Sequence, residues 1–112
     1  MNFRKLDVYQ AAVRFVPLAA GIADSLPPRH AAMAEQLRRA SLSIPLNIAE
    51  GSGKSTGPDQ RRFYTVARGS AMECAAIIDV CRALALVEQA RAQELDQLLF
   101  SIVRMLGRMC RP

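Results

Sequence analysis

Tryptophan is absent, histidine occurs once, and only six of the 112 residues are aromatic. A chain so poor in flat side chains offers few platforms for base stacking and no histidine pair for a metal site or a proton relay. Its hydrophobic content of 51% rests instead on Ala, Leu, Ile and Val, the residues of packed helices. Cysteine is scarce as well. Cys74, Cys81 and Cys110 form an odd set with no CxxC pair, which argues against a disulfide framework or a zinc site. Cys74 and Cys81 stand two helical turns apart on one apolar face and read as small buried hydrophobes of a reducing cytosol. No cofactor, no metal and a cytoplasmic location are expected.

Long apolar runs are also missing. The longest, FVPLAAGIA (Phe15 to Ala23), stops at nine residues, far short of the roughly 20 that cross a bilayer. Asp7 and Arg14 interrupt the segment where a secretory signal would need its apolar region. At this length the chain reads as one domain, residues 1–112.

What the chain does have is arginine: thirteen against two lysines, in a net charge of +5. Between Arg29 and Arg68 seven basic residues face three acids, which points either to a polyanion as partner or to arginines that only decorate solvated helix faces. Arg38, Lys54, Arg61 and Arg68 are the candidate contacts. Arg39 and Arg62 sit on helix flanks where an internal ion pair serves equally well.

Apolar periodicity predicts four helices: about Asp7–Asp24 with Asp7 as N-cap, about His30–Glu50, a third from the TGPDQ segment to about Leu86, and about Arg91–Met109. The stripes are Met33, Leu37, Ala40, Ile44 and Ile48 on the second; Phe63, Ala67, Ser70, Cys74, Ile77, Ile78, Cys81 and Ala85 on the third; Leu95, Leu98, Ile102, Met105, Leu106 and Met109 on the fourth. Short connections predict an all-α, antiparallel up-down-up-down bundle. Pro45, inside the second helix, removes an amide donor and predicts a kink there. The first helix is apolar nearly all round. Leu6, Tyr9, Val13 and Val16 make one face and Val8, Phe15, Leu18 and Ile22 another, so the latter, with Phe100 and Val103 of the fourth helix, are the candidate oligomer interface.

A polar series, Gln36, Arg39, Ser43, Asn47 and Glu50, runs beside the apolar stripe of the second helix, with Arg62, Gly69 and Glu73 on the matching flank of the third. Such groups at a core margin need partners, so pairing between the two helices or across a subunit boundary is expected. Ser43, Glu50 and Glu73 suggest catalysis only if a base or oxyanion donor joins them. The single histidine, His30, lies about three turns from Ser43, so no enzyme is expected.

The run GSGKS in NIAEGSGKST imitates a phosphate-binding loop, yet Ile48 stands where its first glycine belongs and a helical segment precedes it. Gly51 and Gly53 read as a helix stop.

FRKLDVYQAA, QLRRASLSIPLNIAEGSGKST and RRFYTVARGSAMEC resemble the four-helix-bundle proteins encoded by intervening sequences of bacterial large-subunit ribosomal RNA genes. The Ser43–Gly51 core carries the resemblance, with Phe63, Ala67, Gly69, Ser70 and Glu73 also in pattern. The resemblance implies a kinked second helix, a structural role for Ser43, Pro45, Asn47, Glu50, Gly51, Ser70 and Glu73, and a homo-oligomer, typically a pentamer. By fold analogy with the related accessory variability proteins of diversity-generating retroelements, it also implies RNA or DNA and a protein such as a reverse transcriptase as partners. A protein-interaction bundle with no nucleic-acid role is the alternative.

Overall fold

The computed structural model describes residues 2–112 as four helices: α1 (Asp7–Ser25), α2 (Ala31–Ser52), α3 (Gly57–Ala83) and α4 (Gln89–Met109). Short 3-10 turns occupy Asn2–Lys5 and Pro28–His30, and no strand occurs among the described residues. The contacts fix the directions. On α2 and α3, Ser43 meets Ser70 while Gly51 meets Tyr64; on α3 and α4, Arg82 meets Asp96 while Thr65 meets Cys110. Position rises on one helix as it falls on the next, and Asp7 and Arg14 of α1 flank α4 in the same antiparallel sense near Met105 and Leu98. The helices follow one another round the bundle and α4 closes against α1, in a molecule of 44 × 23 × 22 Å.

Local chemistry explains most of the boundaries. Thr56 caps α3 by accepting a hydrogen bond from the Asp59 amide, with Pro58 in the first turn where no amide is needed. Asp7 is not the N-cap expected from the sequence; Leu6 holds that position without a side-chain bond, and Asp7 lies in the first turn, where its charge favours the positive end of the helix. The third helix stops at Ala83, earlier than predicted. Ala85 takes a left-handed conformation (φ 56°) and the Leu86 amide bonds back to the Cys81 carbonyl, a turn usually made with glycine. Leu86 then packs against the core. Two prolines lie inside helices, Pro17 in α1 and buried Pro45 in α2, and both helices run continuously through them.

The core runs the length of the bundle, centred on Phe15, Ile22, Leu37, Ile44, Ile48, Ile78, Leu95, Ile102 and Leu106, all almost fully buried. Leu99 faces it in place of the predicted Leu98, Met105 and Met109, which sit half-buried at its edge, and Ala85, predicted on the stripe of α3, is exposed. This overturns much of the candidate interface on α1. Val8, Phe15 and Ile22 are buried within the subunit, and Leu18 and Val103 are half-buried against the same core. The reason is geometric: α1 lies between α2 and α4 and has apolar neighbours on both flanks, so most of its apolar surface is covered inside one chain, with Val13 left exposed. Of the six residues named, Phe100 is 67% exposed and half-buried Val103 lines the groove beside it.

Candidate functional site

The polar stripe is a seam between α2 and α3. Ser43 and Ser70 share a hydrogen bond across the helices (2.8 Å), and the Asn47 side-chain amide donates to both the carbonyl (2.8 Å) and the hydroxyl (3.0 Å) of Ser43. Two turns earlier on α2 and one turn later on α3, the Gln36 amide donates to the Glu73 carboxylate. Of the two resolutions the sequence leaves open, pairing between the helices or across a subunit boundary, Gln36, Ser43 and Glu73 take the first. Arg39, Glu50 and Arg62 instead bond within their own segments, with Glu35 (3.3 Å), Lys54 (3.6 Å) and Asp59 (3.9 Å). Ser41 donates to the Arg38 carbonyl rather than covering its own carbonyl, the one left without a donor by Pro45.

Gly51 belongs to the same seam and is no helix stop. It lies inside α2, buried, and a Cβ there would stand 2.8 Å from Tyr64 Cε1 and 3.1 Å from the Gln60 carbonyl oxygen. The absent side chain lets α3 approach α2 this closely. Gly53 follows the helix as its C-cap but keeps a right-handed conformation. Tyr64 is buried against Gly51, and burial lifts its phenol above the ordinary range, with Ser52 opposing.

No nucleophile stands ready in this seam. Ser43 is engaged by Ser70 and Asn47, and no histidine is among its partners. Burial, with Glu73 adding to it, pushes the Cys74 thiol up to about 12, and burial also raises that of Cys81, so both are neutral thiols at physiological pH. Among the described residues no group of three or more His, Cys, Asp or Glu side chains stands close enough to hold a metal ion. The GSGKS run follows a helix rather than a strand, and Lys54 is occupied by Glu50 and by the ring of Phe63, 5.1 Å away.

Charge is where the fold adds most. Residues 2–7, the α2–α3 junction (50–68) and the stretch 104–112 converge on one half of the bundle, as Phe3 beside Ala49 and Ser52, and Arg68 beside Arg104 and Arg108, demonstrate. These segments hold nine basic residues against three acidic ones; the remainder holds six against seven. The basic middle third expected from the sequence is therefore not one surface. Arg38 lies toward the other end and is paired with Asp24 at 2.7 Å, and Arg39 pairs with Glu35. Lys54, Arg61 and Arg68 do belong to the basic half. Of these, Arg61 and Arg68 are paired with no carboxylate among the described residues. Sequence reasoning missed Arg104, Arg108 and Arg111, whose proximity to Arg68 exists only in the folded chain. In the opposite half, Arg82 links α3 to α4 through Asp96 (2.6 Å), with Asp79 at 3.9 Å.

The class defined by this architecture is an all-helical four-helix bundle with a polar seam between its second and third helices and charge segregated along its axis. The family described as 23S rRNA-intervening sequence protein matches residues 4–108, and the chain belongs to that family. A crystal structure of a protein of unknown function from the S23 ribosomal protein family of Bacteroides thetaiotaomicron superposes with a TM-score of 0.86 at 16% identity, over 94% of this chain and 99% of that one. At that identity the likeness is one of fold. No curated protein matches the chain. Among the described residues no helix is long and apolar enough to cross a membrane.

Proposed function

We propose that this protein is a non-enzymatic, cytoplasmic accessory protein that binds the backbone of RNA or DNA through its basic half. The observation that carries this reading is the segregation of charge: nine basic residues against three acidic ones in the half around the α2–α3 junction. A field of one sign draws in a polyanion and releases its counterions. With Tyr64 buried, stacking has little to offer and backbone contact is the mode that remains.

Self-association multiplies the effect, because a net +5 per chain becomes roughly +25 in a pentamer whose contacts act together. Exposed apolar side chains support assembly. Phe100 stands beside Met72 and Val103 in a groove of about 470 Å³ between α3 and α4. Leu42 and Leu46, about half exposed, lie on α2, across the bundle from α4. Two different apolar patches on one chain suit a head-to-tail contact, the kind that closes rings.

Replacing Arg61 and Arg68 together by Ser is expected to weaken binding to mixed-sequence duplex DNA and to make its log–log salt dependence shallower by about 1.8, at roughly 0.9 for each lost phosphate contact. A salt titration followed by anisotropy, parent beside variant, measures this. No binding by the parent at low salt moves the function to protein interaction alone.

A further inference from the structure

We infer that the cleft between α3 and the end of α4 is the principal phosphate-holding site of the basic half. This rests on the nucleic-acid reading above and adds to it a specific place. Arg68 of α3 and Arg104, Arg108 and Arg111 of the α4 end line one open cleft of about 760 Å³, with Thr65 and Gly107 in its walls. None of the four guanidinium groups is paired with a carboxylate among the described residues, whereas Arg38, Arg39, Arg62 and Arg82 all are.

Like charges gathered on one concave surface repel one another and favour an anion between them. The carbonyl end of α4 stabilises a cation in its last turn, which accounts for Arg108. It does not account for Arg104, a turn further back, or for Arg68, which comes from another helix. Arg104 is steadied by the ring of Phe100, its guanidinium carbon 5.8 Å from the centroid. Gly107 has nothing within 4 Å of where its Cβ would be, so the wall between Arg104 and Arg108 stays open to a ligand. Guanidinium forks match phosphate oxygens in pairs, and the cleft is large enough for a stretch of sugar–phosphate backbone rather than one small ion.

The test compares the parent with Arg104→Ser/Arg108→Ser, Arg104→Lys/Arg108→Lys and Arg29→Ser/Arg39→Ser, binding a fluorescein-labelled mixed-sequence DNA duplex across a salt series. Matching circular dichroism and melting curves establish that all are folded. The cleft serine variant is expected to lose about 1.8 from the salt slope, and the lysine variant to keep the parent slope because each ammonium still displaces a counterion. The Arg29/Arg39 variant removes the same charge from the far half and is expected to follow the parent. Parent binding with an unchanged curve for the cleft serine variant, or equal losses for the cleft and far-half variants, overturns the cleft. A parent that binds no duplex at any salt overturns the nucleic-acid reading itself.

Discussion

Phe15→Asp is expected to leave the chain unfolded, and Phe100→Asp to leave it folded but monomeric. Phe15 is wholly buried in the core, where an unpaired carboxylate costs several kcal/mol on top of the roughly 3–5 kcal/mol lost with a large aromatic side chain. A domain of this size has only about 5–15 kcal/mol in total, so little or no folded population remains. Phe100 is two-thirds exposed, and a carboxylate there touches the subunit's stability little while placing a charge in the apolar groove proposed to meet a second copy. Circular dichroism separates the first outcome and light scattering after gel filtration the second. A helical Phe15→Asp protein contradicts the core assignment. A parent that is already a monomer, or a Phe100→Asp protein the size of an oligomeric parent, removes that groove from the assembly.

The two glycines Gly51 and Gly69 are expected to respond to alanine in opposite directions. Both lie inside helices, where Gly→Ala alone gains up to about 1 kcal/mol by reducing the freedom of the unfolded chain. At Gly69 nothing lies within 4 Å of the new methyl group, so Gly69→Ala is expected to stabilise by about that amount. At Gly51 the methyl would meet the Tyr64 ring and the Gln60 carbonyl inside ordinary contact distance, and that backbone carbonyl moves only with α3. Overpacking of this kind costs about 1–3 kcal/mol, which outweighs the propensity gain, and Gly51→Val is expected to lose more again. Urea denaturation of the three variants reads both signs; a stabilised Gly51→Ala protein contradicts the close approach of α2 and α3.

The number, order and approximate bounds of the helices were legible because apolar residues recur at helical spacing and Pro or Gly punctuates the junctions. The end of α3 was not, because an alanine, Ala85, adopts the left-handed turn that glycine usually marks. The seam was partly legible: Ser43, Gln36 and Glu73 stood at a core margin and needed partners, but Gly51 reads as a helix stop until Tyr64 is seen above it. Burial of α1 was misjudged because one helix's periodicity does not reveal how many neighbours surround it. The basic surface was misplaced for a related reason. A linear charge count joined Arg38 to Arg68, whereas folding sends Arg38 to Asp24 and brings in Arg104 and Arg108 from the end of the chain.

Amide chemical-shift mapping of the protein during titration with a mixed-sequence duplex, at low salt, tests the central claim most directly. Perturbations are expected at the α2–α3 junction, around Lys54, Arg61 and Arg68, and along Arg104 to Arg111, with the half that holds Asp24, Glu35, Asp79 and Glu94 unaffected. Perturbations centred on that acidic half, or none in the basic one, would contradict the assignment of this surface to a nucleic-acid backbone.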